Sequence, residues 1–304
     1  YPMRNNMFRG VTTAMITPFL PDNSVDYDGL RKNTRYQLEH GVQGLLILGT
    51  TGESPTLDEQ EKERVARTVI ETAHEFNSRV KVMVGVGTNS TRKTIQGVHQ
   101  AQDWGADALL IVAPYYNKPT QEGILAHFQA ICNETDLPII VYNIKSRTGV
   151  NIDTPTLARI AEMPNVIGVK EASGDIQQMM DVLAQIPELA VYSGDDNLTF
   201  PLICLGGQGV ISVASNLLPD EMVSMVMEAL EGHLANARAL HYRLLPLFKA
   251  LFIETNPAPI KYAMQRRGFA AGPLRLPLVE MRTASQKILD SVLEKIGGGH
   301  ADHP

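Results

Sequence analysis

Short apolar segments alternate with longer amphipathic segments eight times between residue 10 and about residue 232. The apolar segments are rich in Val, Ile and Leu and are too short for helices, so we expect them to be β-strands. The expected strands are Gly10–Ile16, Gly44–Leu48, Val80–Val86, Ala108–Ala113, Pro138–Tyr142, Val166–Lys170, Ala190–Ser193 and Gly209–Val213. The segments between them have the spacing of helices with one apolar face. One helix is predicted to begin near Thr56, which has capping-box spacing to Glu59, and another at Thr154 as N-cap, with Pro155 in its first turn.

Eight strands that are apolar along their whole length favour a closed parallel barrel, because the strands of such a barrel are buried on both faces. An open, doubly wound sheet is the alternative, and it usually has fewer strands and a glycine-rich dinucleotide loop. The segment 85–90, Gly-Val-Gly-Thr-Asn-Ser, lacks the third glycine of that loop. The sequence therefore predicts the α/β class and a (β/α)8 TIM barrel.

After about residue 233 the pattern changes to helices alone, at 233–252, 257–267 and 277–296. We expect a short N-terminal extension (1–8), a catalytic barrel (9–232), a C-terminal helical domain (233–296) and a disordered tail (297–304).

The composition narrows the class of protein further. Of the 304 residues, 44% are hydrophobic and 20% are charged, as in soluble globular proteins. The net charge of −6 and the lack of a Lys/Arg run argue against a surface that binds nucleic acid. The sequence has no apolar run of 18 residues, so no membrane span is predicted. The two cysteines, Cys132 and Cys204, lie in apolar surroundings. We expect buried free thiols and a cytoplasmic protein.

The most informative segment is 166–175, Val-Ile-Gly-Val-Lys-Glu-Ala-Ser-Gly-Asp, in which an apolar strand ends on Lys170. Burial disfavours the charged form of a lysine, and a neutral lysine amine can attack a carbonyl carbon to form a Schiff base. The alternative is an ordinary lysine at a strand end whose ammonium reaches water.

Polar residues follow several other predicted strands, and in a TIM barrel the functional residues lie at these carboxyl ends. They are Thr50, Thr51, Tyr115, Tyr116, Tyr142, Arg147, Lys170, Asp195 and Asp196. No histidine lies at a strand end and no metal-ligand spacing occurs, which argues against metal-dependent hydrolysis and Ser-His-Asp catalysis. A lysine with tyrosines, hydroxyls and an arginine suits imine chemistry on a carboxylated carbonyl compound.

Each of these residues also has an ordinary interpretation. The Thr50–Thr51 segment is also a plain strand-to-helix turn, and the tyrosines at 115 and 116 could be rim or interface aromatics. Arg147 could be a solvated surface charge. For the pair at 195–196, capping of the next helix is the favoured interpretation.

Several motifs together resemble the dihydrodipicolinate synthase family of pyruvate-dependent, Schiff-base class I aldolases, a superfamily that also includes N-acetylneuraminate lyase. The resemblance extends from about Phe8 to Ile296. It is carried by 49–54 (Gly-Thr-Thr-Gly-Glu-Ser), 142–143 (Tyr-Asn), 146–149 (Ser-Arg-Thr-Gly), 169–174 (Val-Lys-Glu-Ala-Ser-Gly), 193–196 (Ser-Gly-Asp-Asp), 209–213 (Gly-Val-Ile-Ser-Val) and 256–261 (Asn-Pro-Ala-Pro-Ile-Lys).

The resemblance implies a lyase that condenses pyruvate with L-aspartate 4-semialdehyde in lysine and diaminopimelate biosynthesis, without a cofactor or metal. It implies that Lys170 forms the imine with pyruvate and that Tyr142 relays protons. Thr51 would link Tyr142 to Tyr116, which in this family enters the site of a neighbouring subunit. The implied assembly is a homotetramer, a dimer of dimers.

The family pattern also implies the substrate contacts. Thr50 and Thr51 match the residues that hold the pyruvate carboxylate, and Arg147 matches the residue that holds the carboxylate of the aldehyde. Gly194 and Ile211 match positions that line the site with backbone carbonyls.

One departure from the family pattern concerns the aldehyde. Lys145 stands where the family usually has proline, which frees φ and adds charge near Arg147. An aldolase for a 2-oxo sugar acid or 4-hydroxy-2-oxoglutarate is therefore the first alternative, although such enzymes usually lack this arginine. A non-catalytic sensor that binds a 2-oxo acid is the second alternative.

A second departure concerns regulation by free lysine. Members of the family that lysine inhibits resemble this chain at Ser54, Asn89 and Tyr115. Lys93, however, stands where they have glutamate, and residues 59 and 62 are Glu and Lys where some have histidines. We expect weak or no inhibition, because a lysine side chain repels a cationic amine.

Overall fold

The computed structural model describes residues 7–76 and 79–299, and in it eight parallel strands close into a barrel in chain order. The strands are β1 Gly10–Ala14, β2 Gly44–Ile47, β3 Lys81–Gly85, β4 Ala108–Val112, β5 Ile139–Asn143, β6 Val166–Glu171, β7 Ala190–Ser193 and β8 Gly209–Ser212. The barrel closes where β8 pairs with β1. The predicted TIM barrel is confirmed, and the open sheet is excluded.

Both faces of the strands are buried, as the apolar pattern predicts. Side chains such as Leu46, Met83, Ile140 and Ile211 fill the inside of the barrel. The alternate strand residues pack outward against the helices. Phe8, from the predicted N-terminal extension, is fully buried with the inner set, whereas residues 1–6 lie outside the described residues.

The seam between β8 and β1 depends on a glycine. Gly209 has φ +152°, and a Cβ at this position would lie 2.0 Å from the carbonyl oxygen of Gly10. Any side chain would therefore push the two strands apart. The eighth strand can complete the barrel at this point only because residue 209 has no side chain.

Twelve helices accompany the strands in the described residues. They are α1 Tyr27–Glu39, α2 Glu59–Phe76, α3 Thr91–Trp104, α4 Gln121–Cys132, α5 Lys145–Thr148, α6 Thr154–Ala161, α7 Ile176–Gln185, α8 Thr199–Cys204, α9 Pro219–Leu230, α10 Leu234–Ala250, α11 Ala258–Arg266 and α12 Thr283–Ile296. None of them is long and apolar enough to cross a membrane.

Some predicted helix ends are wrong. The capping box before α2 is Asp58 with Glu61, each of which accepts a hydrogen bond from the other's N–H, rather than Thr56 with Glu59. Thr154 is the first residue of α6 and Asp153 is its N-cap. These errors arise because several adjacent residues can cap, and only the backbone geometry selects one.

Two longer segments also differ from the prediction. Between the expected end of the fifth strand at Tyr142 and the helix predicted at Thr154, the chain forms the one-turn helix α5. The last helix begins at Thr283 instead of 277, and residues 277–282 form a turn and irregular backbone.

One cysteine also differs from the expectation. Cys132 is buried as predicted, but Cys204 is exposed at the end of α8. Both thiols are free.

The C-terminal helices α10, α11 and α12 share one apolar core with the barrel. The division into a barrel at 9–232 and a helical domain at 233–296 stays a prediction. Of the predicted tail, Gly298 accepts a hydrogen bond from Arg267, and residues 300–304 lie outside the described residues.

A buried ion pair joins α11 to the loop after β2. Lys261 Nζ lies 2.8 Å from Glu53 Oε2, and both side chains are almost fully buried. The same ammonium donates to the carbonyl oxygens of Thr17 and Pro273, and the other Glu53 oxygen accepts from the N–H of Arg275. The charges are therefore well hydrogen-bonded as well as paired, which a buried ion pair requires.

We predict that Lys261→Met lowers the free energy of unfolding by about 3–5 kcal/mol, because it leaves the Glu53 carboxylate buried without its counter-charge. By calorimetry the melting temperature should fall by about 10 °C. Arg159→Met is the control, since the Arg159–Glu122 pair is exposed and should contribute at most about 1 kcal/mol. Equal losses in both variants would contradict this prediction.

Candidate active site

Lys170 and Tyr142 lie side by side at the carboxyl ends of β6 and β5. They are register partners in the sheet, and Lys170 Nζ lies 4.1 Å from the centroid of the tyrosine ring. Each residue is only 7% exposed. The structure thus brings together the lysine that ends the sixth strand and the tyrosine at the end of the fifth strand, inside the mouth of the barrel.

Burial controls the charge of this lysine. It lowers the pKa of Lys170 to about 8, with Arg147 acting in the same direction, while the carboxylates of Asp195 and Asp196 partly oppose the shift. A lysine with this pKa is neutral about one time in ten at pH 7, against roughly 0.03% for an unperturbed lysine. Lys170 is therefore able to act as a nucleophile at neutral pH.

The hydroxyl of Tyr142 keeps its proton. Burial raises the pKa of this phenol, and the opposing effect of Arg147 is smaller. A protonated phenol beside a neutral amine can donate a proton to a reacting oxygen and take it back. This is the pairing that proton transfer during imine formation needs.

Asp196 has a different role from the expected helix cap. Its carboxylate accepts from the Ser212 hydroxyl at 2.6 Å and from the backbone N–H groups of Val213 and Ala214. The helix that follows has no side-chain cap. The capping interpretation is therefore wrong for Asp196. Its carboxylate instead links the end of β7 to the end of β8 by hydrogen bonds.

The Thr50–Thr51 segment forms a strained turn after β2. Leu48 and Glu53, on either side of it, have φ of +57° and +53°, a backbone conformation that side chains disfavour. Thr51 is buried and Thr50 is half-buried. The hydroxyl of Thr51 accepts a hydrogen bond from Asn256 Nδ2 at 2.9 Å.

Sequence reasoning did not assign Asn256 to the site. The segment 256–261 matches the family pattern, but neither its spacing nor its composition indicates that a residue from the C-terminal helices reaches the loop after β2. Only the folded chain shows the contact.

Tyr116 does not enter the site of its own chain. It is 86% exposed and has φ +75°, and its backbone N–H donates to the carbonyl of Thr148 in α5. Within the described residues no hydrogen bond joins Thr51 to Tyr142 or to Tyr116. The three-residue relay and the entry of Tyr116 into a neighbouring site stay predictions.

Arg147 is exposed in the one-turn helix α5, directly after β5. Its positive charge acts to lower the pKa of both Lys170 and Tyr142, so it is near enough to influence both groups. Lys145, in the same turn, is exposed as well.

Gly194 and Ile211 lie at the ends of β7 and β8. A Cβ on Gly194 would lie 3.3 Å from Lys170 Cε and 2.7 Å from Ala172 Cβ, so the lysine side chain passes directly over this glycine. Ile211 is buried inside the barrel. Within the described residues, no group of three His, Cys, Asp or Glu side chains could hold a metal ion.

Comparison with known proteins agrees with this geometry. The model of the dihydrodipicolinate synthetase family matches residues 7–296. The 4-hydroxy-tetrahydrodipicolinate synthase of Protochlamydia amoebophila is 49% identical over 292 residues, which cover 95% of this chain and 96% of that protein.

Solved structures give the same result. The crystal structure of dihydrodipicolinate synthase from Thermotoga maritima has a TM-score of 0.92 and 46% identity, covering 95% of this chain and 99% of that one. The enzyme from Acinetobacter baumannii, solved in complex with pyruvate, has a TM-score of 0.92 and 37% identity over the same shares of the two chains.

We predict that pyruvate becomes attached to Lys170 when the protein is treated with pyruvate and borohydride. Because the neutral amine is the nucleophile, the initial rate of attachment should rise with pH and level off above about 8, the pKa that burial gives Lys170. Peptide mass spectrometry at several pH values measures both the position and the rate. Lys170→Arg should give no adduct at this position, and a rate that still rises near pH 10 would contradict the prediction.

Proposed function

The chain belongs to the dihydrodipicolinate synthetase family, and we propose that it is a Schiff-base class I aldolase-type lyase, 4-hydroxy-tetrahydrodipicolinate synthase. It condenses pyruvate with L-aspartate 4-semialdehyde in lysine and diaminopimelate biosynthesis. The observation that carries the proposal is the buried amine of Lys170, 4.1 Å from the ring of Tyr142 at the catalytic end of the barrel.

The reaction begins at the keto carbon of pyruvate. The neutral Lys170 amine attacks this carbon, and Tyr142 carries one proton from the nitrogen to the oxygen. The phenol then gives its own proton to the same oxygen, which leaves as water as the protonated imine forms. The protonated imine withdraws electrons from the neighbouring methyl group, which loses a proton to the Tyr142 oxygen to give an enamine. The enamine carbon then attacks the aldehyde carbon, and the aldehyde oxygen takes the proton back from Tyr142 as the new carbon–carbon bond forms. The amino group of the aldehyde substrate then replaces Lys170 on the imine carbon, which closes the ring and frees the lysine amine.

The remaining site residues bind the two carboxylates. Thr50 and Thr51, through hydroxyls and backbone N–H groups, hold the carboxylate of pyruvate. Arg147 holds the carboxylate of the aldehyde, since its fork of N–H groups suits bidentate binding. Gly194 and Ile211 line the pocket with their backbone carbonyls, and Gly194 leaves room for the Lys170 side chain.

The assembly completes the proposal. We expect a cytoplasmic homotetramer in which Tyr116 enters the site of a neighbouring subunit and extends the relay from Thr51 and Tyr142. An exposed aromatic side chain on a backbone with positive φ supports this role, because such a side chain gains most from burial against a partner.

One observation favours a second candidate within the same superfamily. Lys145 adds a second exposed positive charge to the one-turn helix that carries Arg147. The added charge could favour a different aldehyde as the second substrate. The product would then be a 2-oxo sugar acid or 4-hydroxy-2-oxoglutarate. The non-catalytic sensor has no comparable support, because the amine of Lys170 and the phenol of Tyr142 are both in place.

We predict that Arg147→Ala lowers kcat/KM for L-aspartate 4-semialdehyde by about 100-fold, because a charge-assisted contact of about 3 kcal/mol is lost. The rate of pyruvate attachment to Lys170 should change by less than about threefold. Pyruvate consumption with a panel of carboxylated and neutral aldehydes measures the preference. Lys145→Pro, at the first position of α5, is the matched control and should keep the preference of the native chain. A native preference for a neutral sugar aldehyde would favour the second candidate.

We also predict that free lysine inhibits weakly or not at all. The side chain of Lys93 is exposed at the start of α3, where it repels a cationic amine, and Lys62 donates to Glu59 at 3.0 Å on α2. Lys93→Glu should increase the sensitivity to lysine. A coupled assay measures the inhibition of the native enzyme and of the variant by free lysine. Strong inhibition of the native enzyme by submillimolar lysine would contradict the prediction.

A further inference from the structure

Asn256 makes a buried contact with the candidate site from the far end of the chain. It lies between α10 and α11, is 6% exposed, and donates from Nδ2 to the Thr51 hydroxyl across 205 residues of sequence. This is the one hydrogen bond of the Thr51 hydroxyl within the described residues.

We propose that Asn256 is a positioning residue that directs the proton of the Thr51 hydroxyl into the active site. A threonine hydroxyl has one proton and can accept through two lone pairs, whereas an amide NH2 group can only donate. Since Thr51 accepts from Asn256, its own proton is available for an acceptor on the other side. In the function proposed above, on which this inference rests, that acceptor is the Tyr142 hydroxyl or the pyruvate carboxylate.

The carbonyl oxygen of the Asn256 side chain also supports a functional role for this residue. Asn256 Oδ1 is buried and has no hydrogen-bond partner within the described residues. An unpaired buried acceptor costs about 1–3 kcal/mol, so this side chain is poorly suited to stabilise the fold. The hydrogen bond that Asn256 does make goes to Thr51, a residue of the candidate site. Unfavourable local features such as an unpaired polar atom are expected at functional sites.

The segment that carries Asn256 is also held firmly. Lys261, five residues further on, is fixed by its ion pair with Glu53, and Glu53 is two residues from Thr51. The Lys261–Glu53 ion pair and the Asn256–Thr51 hydrogen bond therefore join the same two segments, 256–261 and 51–53. Asn256 therefore meets Thr51 with a fixed orientation, which a positioning role needs.

The test is the isosteric variant Asn256→Asp. An ionised carboxylate can only accept, so it should turn the Thr51 proton away from the site and lower kcat by about 10- to 100-fold, with a smaller change in KM for pyruvate. When the introduced carboxyl is protonated it can donate again. The activity of the variant relative to the native enzyme should therefore rise as the pH falls.

Asn33→Ala is the control for a purely structural effect. Asn33 is also buried and also donates to the C-terminal segment, to the carbonyl of Ala270 at 2.8 Å, but it lies outside the site. We expect a lower melting temperature with kcat unchanged. If Asn256→Asp does not fold, Asn256→Ala takes its place, with an expected loss in kcat of about tenfold.

Three results would overturn the inference. They are a kcat within twofold of the native value in the Asn256 variants, a relative activity of Asn256→Asp that does not depend on pH, and a loss in kcat that Asn33→Ala reproduces. Failure of the proposed function is distinguishable, because the native enzyme would then form no pyruvate adduct on Lys170.

Discussion

The chemistry of this protein depends on the removal of water from the ammonium of Lys170. A closed barrel achieves this because β5 and β7 flank the lysine strand and buried apolar side chains fill the inside of the barrel. The resulting pKa of about 8 is a compromise, since Asp195 and Asp196 favour the charged form. Without these carboxylates the amine would be neutral more often, but it would also hold a protonated imine less well, because the imine carries the same positive charge.

The loop after β2 shows how the C-terminal helices contribute to the site. It contains two residues with positive φ, at 48 and 53, and such a backbone persists only where surrounding contacts fix it. The buried ion pair of Glu53 with Lys261 supplies such a contact, and the hydrogen bond of Thr51 with Asn256 joins the same two segments. The helical appendage is therefore part of the site's framework.

The sequence predicts the barrel and the position of Lys170 well, because strand and helix periodicity are local properties and strand ends follow from them. The pairing of Lys170 with Tyr142 follows from chain order in a parallel barrel. The partners of Glu53 and Thr51 could not be predicted, since these contacts span 208 and 205 residues and have no periodic signal. The role of Asp196 was missed for a related reason: a carboxylate before a helix is usually a cap, and only the position of β8 makes it a link between strands.

The buried pair of Glu53 and Lys261 also has a consequence for fluctuations of the native state. Proteins open in cooperative segments, and groups held by one shared contact open together. Any motion that lifts α11 from the barrel separates the two charges and releases the turn that carries Thr51. We therefore expect the amide hydrogens of α11 and of the Thr50–Glu53 turn to exchange with solvent through the same opening. A helix that holds none of the reacting atoms would then limit how long the site stays assembled.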